Sequence, residues 1–262
     1  MRWRVLLAAL LCLPLLAGGA RAEGCFPVAS AEARLVPAAL QVAALPAGAT
    51  ARLIFLGHAS FLIESAEGVT AVTDFNGYVG APLVPDIVTM NNAHDTHFAA
   101  LVPPGVAHVL RGWNPDGGEA RHDLSSRDLR VRNVPTAVHG RAGDQTNSNS
   151  IFVFEIGDLC IAHLGHLHQL LTPAQLAELG LIDVVLVPVD GTYTMSHAEM
   201  AEVIRQIGAP VVVPMHYFGA AVLERFLAEV EGEYRIDIRD SPELLLARAS
   251  LPQRTVIVLP GS

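Results

Sequence analysis

From Arg52 onward the chain alternates short apolar runs with turn residues. Residues 53–56, 60–63, 69–72 and 87–89 read as successive strands. The stretch 111–128, with Asn114-Pro115-Asp116-Gly117-Gly118, reads as loop. Further strands are expected at 129–134, 150–155, 159–163, 184–189, 211–214 and 255–259. Several are apolar without interruption, the pattern of strands buried on both faces.

Helical signals lie between the later strands. Thr172-Pro173-Ala174-Gln175 combines an N-cap, a proline at the first helical position and a capping-box glutamine. Ser196 with Glu199 repeats the capping signal and opens a helix to about Ile207. From Ala220, Leu223, Phe226, Leu227 and Val230 share one face, and Gly232 marks the stop. Strands first, then strand–helix alternation, predicts an α/β fold of two sheets with helices packed outside.

The N-terminal residues bear on location. Met1-Arg2-Trp3-Arg4 is a basic start, an apolar run follows from Val5 to Ala17, and Ala20-Arg21-Ala22 offers a cleavage site. That is the build of a secretory signal peptide, removed after Ala22. The run is about 13 residues, short of the roughly 20 a membrane span needs. The expectation is a periplasmic or secreted protein with no stable membrane anchor. A signal at 1–22, an Ala- and Pro-rich lead-in at 23–50 and one domain at 51–262 complete the division. The net charge is −9, all seventeen basic residues being arginine, and it becomes more acidic once Arg2, Arg4 and Arg21 are removed. Such a surface argues against nucleic acid as a partner and leaves a small-molecule substrate. Cys25 and Cys160 can form a disulfide in an oxidising compartment, or Cys160 can stay a buried thiol.

The chemistry is in the histidines. His94, His163, His166 and His216 fall at or just past the ends of expected buried strands, where α/β folds gather their sites. Three or four converging imidazoles can hold zinc at about 2.0–2.1 Å.

Four ordered blocks carry a family resemblance. Leu56-Gly57-His58-Ala59-Ser60-Phe61-Leu62-Ile63 with Thr73-Asp74 resembles the opening of the metallo-β-lactamase superfamily branch that contains L-ascorbate-6-phosphate lactonase and related metal-dependent hydrolases. His163-Leu164-Gly165-His166 resembles that branch's His-Leu-Gly-Asp, the run 187–195 its Pro-x-Gly-Gly-x-Tyr-Thr, and Val213-Pro214-Met215-His216-Tyr217 its Ile-Pro-Met-His-Tyr. The resemblance implies a four-layer αββα sandwich with a metal site along one edge of the sheets.

Departures from the family pattern shape the expected site. Against His-x-His-x-Asp-His, the chain has Asn92, His94, Thr96 and His97, and the later metal-bridging Asp is His166. By resemblance, the metal ligands are His94, His97, His166 and His216, with His139 and Asn92 as weaker candidates. His58, Asp74 and His163 are expected to orient those ligands from behind. Thr96 cannot act as a base, so Asp95 or Asp190 is expected to take the catalytic carboxylate's part. Asp190 either replaces the carboxylate lost at 166 or forms a turn before Gly191. The reaction implied is hydrolysis of a lactone, ester, amide or phosphoester by water activated at one zinc ion (Zn2+), a second ion lacking a bridging anion. A non-catalytic metal or small-molecule binder and a structural protein with a degenerate site are the alternatives.

Overall fold

The computed structural model describes residues 45–77, 83–94, 96–140 and 143–260, without the side chains of 139, 140, 143 and 144. The expected signal peptide, most of the lead-in, Cys25 and Asp95 lie outside the described residues. The first strands are β1 (Ala51–Gly57), β2 (Ser60–Ser65), β3 (Thr70–Val72), β4 (Ile87–Met90) and β5 (His108–Arg111). Next come β6 (Asp123–Ser126), β7 (Leu129–Gly140), β8 (Gly143–Ile156) and β9 (Leu159–His163). Helix α1 (Pro173–Leu179), β10 (Val184–Pro188), α2 (His197–Ile207), β11 (Val211–Met215) and α3 (Ala220–Val230) follow. The chain continues through β12 (Arg235–Ile238), β13 (Glu243–Leu246) and β14 (Thr255–Val258).

Two sheets result. One has the order β13-β1-β2-β3-β4-β5 and the other β12-β14-β11-β10-β9-β8-β7-β6. Leu53, Phe55, Phe61 and Ile63 of the first meet Phe152, Phe154, Ile161, Leu186 and Val213 of the second in a dry core. The other face of the second sheet, through Val185 and Val187, packs on Leu179, Ile204 and Phe226 of the three helices. Buried on both sides, β9, β10 and β11 are wholly apolar apart from His163 at one end. The capping boxes at Thr172 and Ser196 are both formed.

The α/β sandwich is the expected architecture. Over the outer face of the first sheet, Val72, Val88 and Met90 are covered by Phe98, Val102 and Trp113 from the segment after β4. Four strands go beyond the sequence reading. β5 and β6 flank or interrupt the stretch read as loop, and β12 and β13 close the far edges. These are edge strands with partly exposed residues; β5, β6 and β12 lack the longer apolar runs that mark the others, and the run in β13 is only Leu244-Leu245-Leu246.

Cys160 is fully buried and disulfide-bonded, to a partner outside the described residues. Among the described residues no helix is long and apolar enough to cross a membrane.

Candidate metal centre

The topology delivers one histidine or carboxylate after another to a single edge. β1, β3 and β4 run the same way in the first sheet, and β9, β10 and β11 run parallel in the second. His58 follows β1, Asp74 follows β3, His97 follows β4, His166 follows β9, Asp190 follows β10 and His216 follows β11. Three of these positions take left-handed backbone angles rare for residues with a side chain: His58 (φ 52°), Asp74 (φ 47°) and His216 (φ 55°). Such conformations persist where surrounding bonds fix them, and the His216 N–H donates to the His58 carbonyl at 2.6 Å. The β1–β2 turn is thereby tied directly to the end of β11.

The ring nitrogens converge. One nitrogen from each of His58, His97 and His216 lies within 4.8 Å of the other two. His97 Nε2 is 3.1 Å from His216 Nε2 and 3.0 Å from His166 Nδ1. Behind the cluster, His97 Nδ1 bonds the Asp74 carboxylate, and His216 Nδ1 bonds Asp190 Oδ2 at 3.0 Å. Asp74 Oδ1 accepts a further bond from the Asn91 N–H at 3.0 Å. Burial pushes the Asp74 carboxyl up, but the facing His97 more than offsets it and holds the group below the ordinary carboxylate range. Asp190 is likewise held low: its His216 and Thr194 side-chain bonds and two backbone N–H donors outweigh burial. Burial first, then neighbouring imidazoles, lowers His58 to about 4 and His166 to about 2. Both rings are therefore neutral near pH 7, the form that donates a lone pair to a metal.

The arrangement fits a metal ion. With each Nδ1 proton given to a carboxylate, the Nε2 atoms of His97 and His216 face each other with lone pairs alone. Their separation is one that two bonds of about 2.0–2.1 Å to a shared ion can span. His58 Nε2 is buried with no hydrogen-bond partner, a costly state that a cation would relieve. A carboxylate behind a ligating imidazole is the usual means of fixing its tautomer and orientation.

Set beside the sequence expectations, the geometry redistributes the roles. His97, His166 and His216 meet as expected. His58, expected behind the ligands, is in the cluster itself. Its signal was its place directly after a buried strand, beside the quoted Leu56-Gly57 block. His94 lines the same cleft but is exposed, stacked on His166 at 5.7 Å between ring centres, with Nδ1 3.0 Å from Thr96 Oγ1. Asn92 ties its loop to the second sheet. Its side-chain amide donates to the Ser148 carbonyl at 2.7 Å and its backbone bridges to Asn149, which anchors the loop to β8.

Of the two readings of Asp190, the hydrogen bonds fit the turn. Its Oδ1 accepts N–H bonds from Thr192, Tyr193 and Thr194, while Oδ2 takes the Thr194 hydroxyl and His216. A carboxylate so occupied, and held so far below neutrality, is a poor general base, so Asp190 turns the chain and positions His216. His163 is fully buried; Nε2–H donates to the Ala59 carbonyl at 2.7 Å and Nδ1 accepts from the Gly165 N–H at 3.1 Å. It therefore staples the β1–β2 turn to the end of β9. His139 lies in β7 with its backbone opposite Asp144, and its side chain is outside the described set, as is Asp95.

The cleft over the cluster has a volume of about 520 Å³. Beyond the histidines and Asp190 it is lined by Thr96, Thr192, Tyr193, Phe218, Val222 and Arg225.

The pattern of the Beta-lactamase superfamily domain matches residues 52–216. A Thermotoga maritima protein whose name places it among Zn-dependent hydrolases of the metallo-β-lactamase superfamily is 31% identical. Its crystal structure superposes with a TM-score of 0.59, covering 81% of this chain and 100% of that one. The chain belongs to the metallo-β-lactamase superfamily. A "UPF0173 metal-dependent hydrolase" of Methanoculleus marisnigri is 28% identical over 181 residues, 63% of this chain and 80% of its own. One of Thermococcus kodakarensis is 27% identical over 185 residues, covering 62% and 83%. The superfamily relatives are thus named as metal-dependent hydrolases, and the narrower L-ascorbate-6-phosphate lactonase branch finds no support in these names.

Proposed function

We propose that the histidine cluster holds one zinc ion and that the protein is an exported hydrolase of a small ester, lactone, amide or phosphoester. The observation that carries this reading is the pair of Nε2 atoms on His97 and His216, 3.1 Å apart and each backed by a carboxylate. Family membership and the relatives' names support a metal ion and hydrolysis at a coarser level. Export is supported by the N-terminal leader pattern and by the disulfide at Cys160, a bond characteristic of oxidising compartments.

His97, His216, His58 and His166 would hold the ion. When bound, zinc supplies Lewis acidity to a substrate oxygen and lowers the pKa of water towards about 7. Asp74 and Asp190 keep two of the rings in the tautomer that leaves Nε2 free. Thr96, where the superfamily pattern has Asp, cannot accept a proton. His94 borders the same cleft outside the tight cluster, which leaves its imidazole for moving a proton between substrate and solvent.

The replacement at Thr96 also favours a second reading, a metal binder without turnover. Hydrolysis of simple esters, lactones and phosphodiesters separates the two. The hydrolase reading expects turnover that a chelator abolishes and added zinc restores. Bound metal with no turnover of any of these substrates supports the binder, and a protein that takes up no metal sinks both.

A further inference from the structure

Beside the histidines, the cleft wall has a character of its own. Tyr193 and Phe218 are large aromatic residues left 66% and 57% exposed, and their rings meet edge to face at 5.7 Å. Phe218 also lies 5.5 Å from the His216 ring and 5.8 Å from the His58 ring, so the aromatic surface runs up to the cluster. Val222 continues it, and Arg225, one turn further along α3, brings a guanidinium to the same cleft. Exposed aromatic pairs at the mouth of a cavity are costly in water and are repaid when an apolar surface covers them.

Arg225 is the arginine that lines this cleft, whereas most of the described arginines are held in ion pairs elsewhere. Arg52 pairs with Glu64, Arg130 with Asp123, Arg132 with Glu155 and Arg248 with Asp183. Arg225 has no carboxylate partner among the described residues. In a chain of net charge −9, a cation left unpaired at the cleft is the feature an anion would meet. The lining carboxylate, Asp190, is already committed to His216 and its own turn.

We propose that this wall is a substrate subsite for amphipathic monocarboxylates, an inference resting on the hydrolase reading above. The substrate's aryl or alkyl body lies on Tyr193, Phe218 and Val222, its carboxylate pairs with Arg225, and its scissile acyl group reaches the histidine cluster. One guanidinium suits one negative charge; a phosphate monoester, with its extra charge and three acceptor oxygens, calls for more donors than this wall carries. A cavity of about 520 Å³ has room for a molecule of this size.

A matched pair of acetate esters tests the subsite: that of 4-hydroxybenzoate, which carries a free carboxylate, and that of methyl 4-hydroxybenzoate, which does not. The zinc-loaded protein is expected to favour the first in kcat/KM by up to about fivefold, the upper end for a pair with the exposed Arg225. In Arg225→Ala that ratio should fall to near one, with Arg225→Lys in between. Calorimetric binding of 4-hydroxybenzoate against its methyl ester, to the same proteins, reads the same preference without turnover. If neither ester is hydrolysed yet binding shows the Arg225-dependent preference, the hydrolase reading fails and the subsite stands. Equal handling of the charged and neutral partners, or a preference that Arg225→Ala leaves intact, overturns the subsite.

Discussion

His97→Ala is expected to leave the protein without bound metal under conditions that saturate the wild type, and to reduce chelator-sensitive hydrolysis to background. His97 is fully buried, and its Nε2 is the atom that both His166 and His216 approach. Removing it deletes the centre of the cluster, so the loss should exceed the about 10- to 100-fold typical of deleting a group behind a ligand. It also leaves the fully buried Asp74 carboxylate with its Asn91 N–H bond but without the imidazole donor, at a cost of at least about 1–3 kcal/mol. Asp74→Asn provides the milder companion. It keeps a hydrogen-bonding group of the same shape, and metal affinity should drop within that 10- to 100-fold range while the fold survives. Metal content after gel filtration, with zinc titrations on both variants, gives the answer. Full metal occupancy in His97→Ala would contradict the assignment.

The second large effect is on stability. Gly165, between β9 and His166, has φ +61°, and a Cβ placed there would sit 2.4 Å from Asn91 Cβ and 2.8 Å from Asn149 Oδ1. Those neighbours cannot easily retreat. The Asn91 N–H is bonded to Asp74, its amide to the Ser150 carbonyl, and Asn149 Oδ1 accepts the His166 N–H at 2.9 Å. Gly165→Ala therefore combines the left-handed penalty of about 1–2 kcal/mol with an overpacking cost of about 1–3 kcal/mol. A fall in Tm on the order of 5–15 °C is expected in thermal unfolding. Gly117→Ala is the control. Its φ is +88° with nothing within 4 Å of the added carbon, so only the backbone penalty applies. Equal losses at the two positions would mean that the crowding at Gly165 is not real.

Part of the cluster is legible in the sequence because its histidines follow strands. The runs before His166 and His216 are uninterrupted and apolar, and the residue after such a run has few places to go except the sheet edge. His58 was harder. Its partnership with His216 depends on the β1–β2 turn reaching across to the other sheet, a contact between residues 158 positions apart that no local pattern encodes. Asp190 could be placed near the cleft, but its role depends on which way the backbone turns after it. Three N–H groups folding back onto Oδ1 decided that. Asn92 stands at a ligand position by register, and its side-chain N–H goes to a backbone carbonyl on β8, a contact no local pattern encodes. Tyr193 falls in the 187–195 block, but Arg225 and Phe218 carry no signal, since a lone arginine on a helix and a single exposed aromatic are ordinary in any sequence.

The central claim is that four strand-end imidazoles share one ion. Anomalous diffraction from crystals of the zinc-loaded protein, collected at the zinc edge, reads this out. One strong peak per chain is expected, within bonding distance of nitrogens from His97 and His216 and next to His58 and His166. Two peaks of equal occupancy, or a single peak away from these rings and held by oxygen ligands, would contradict it.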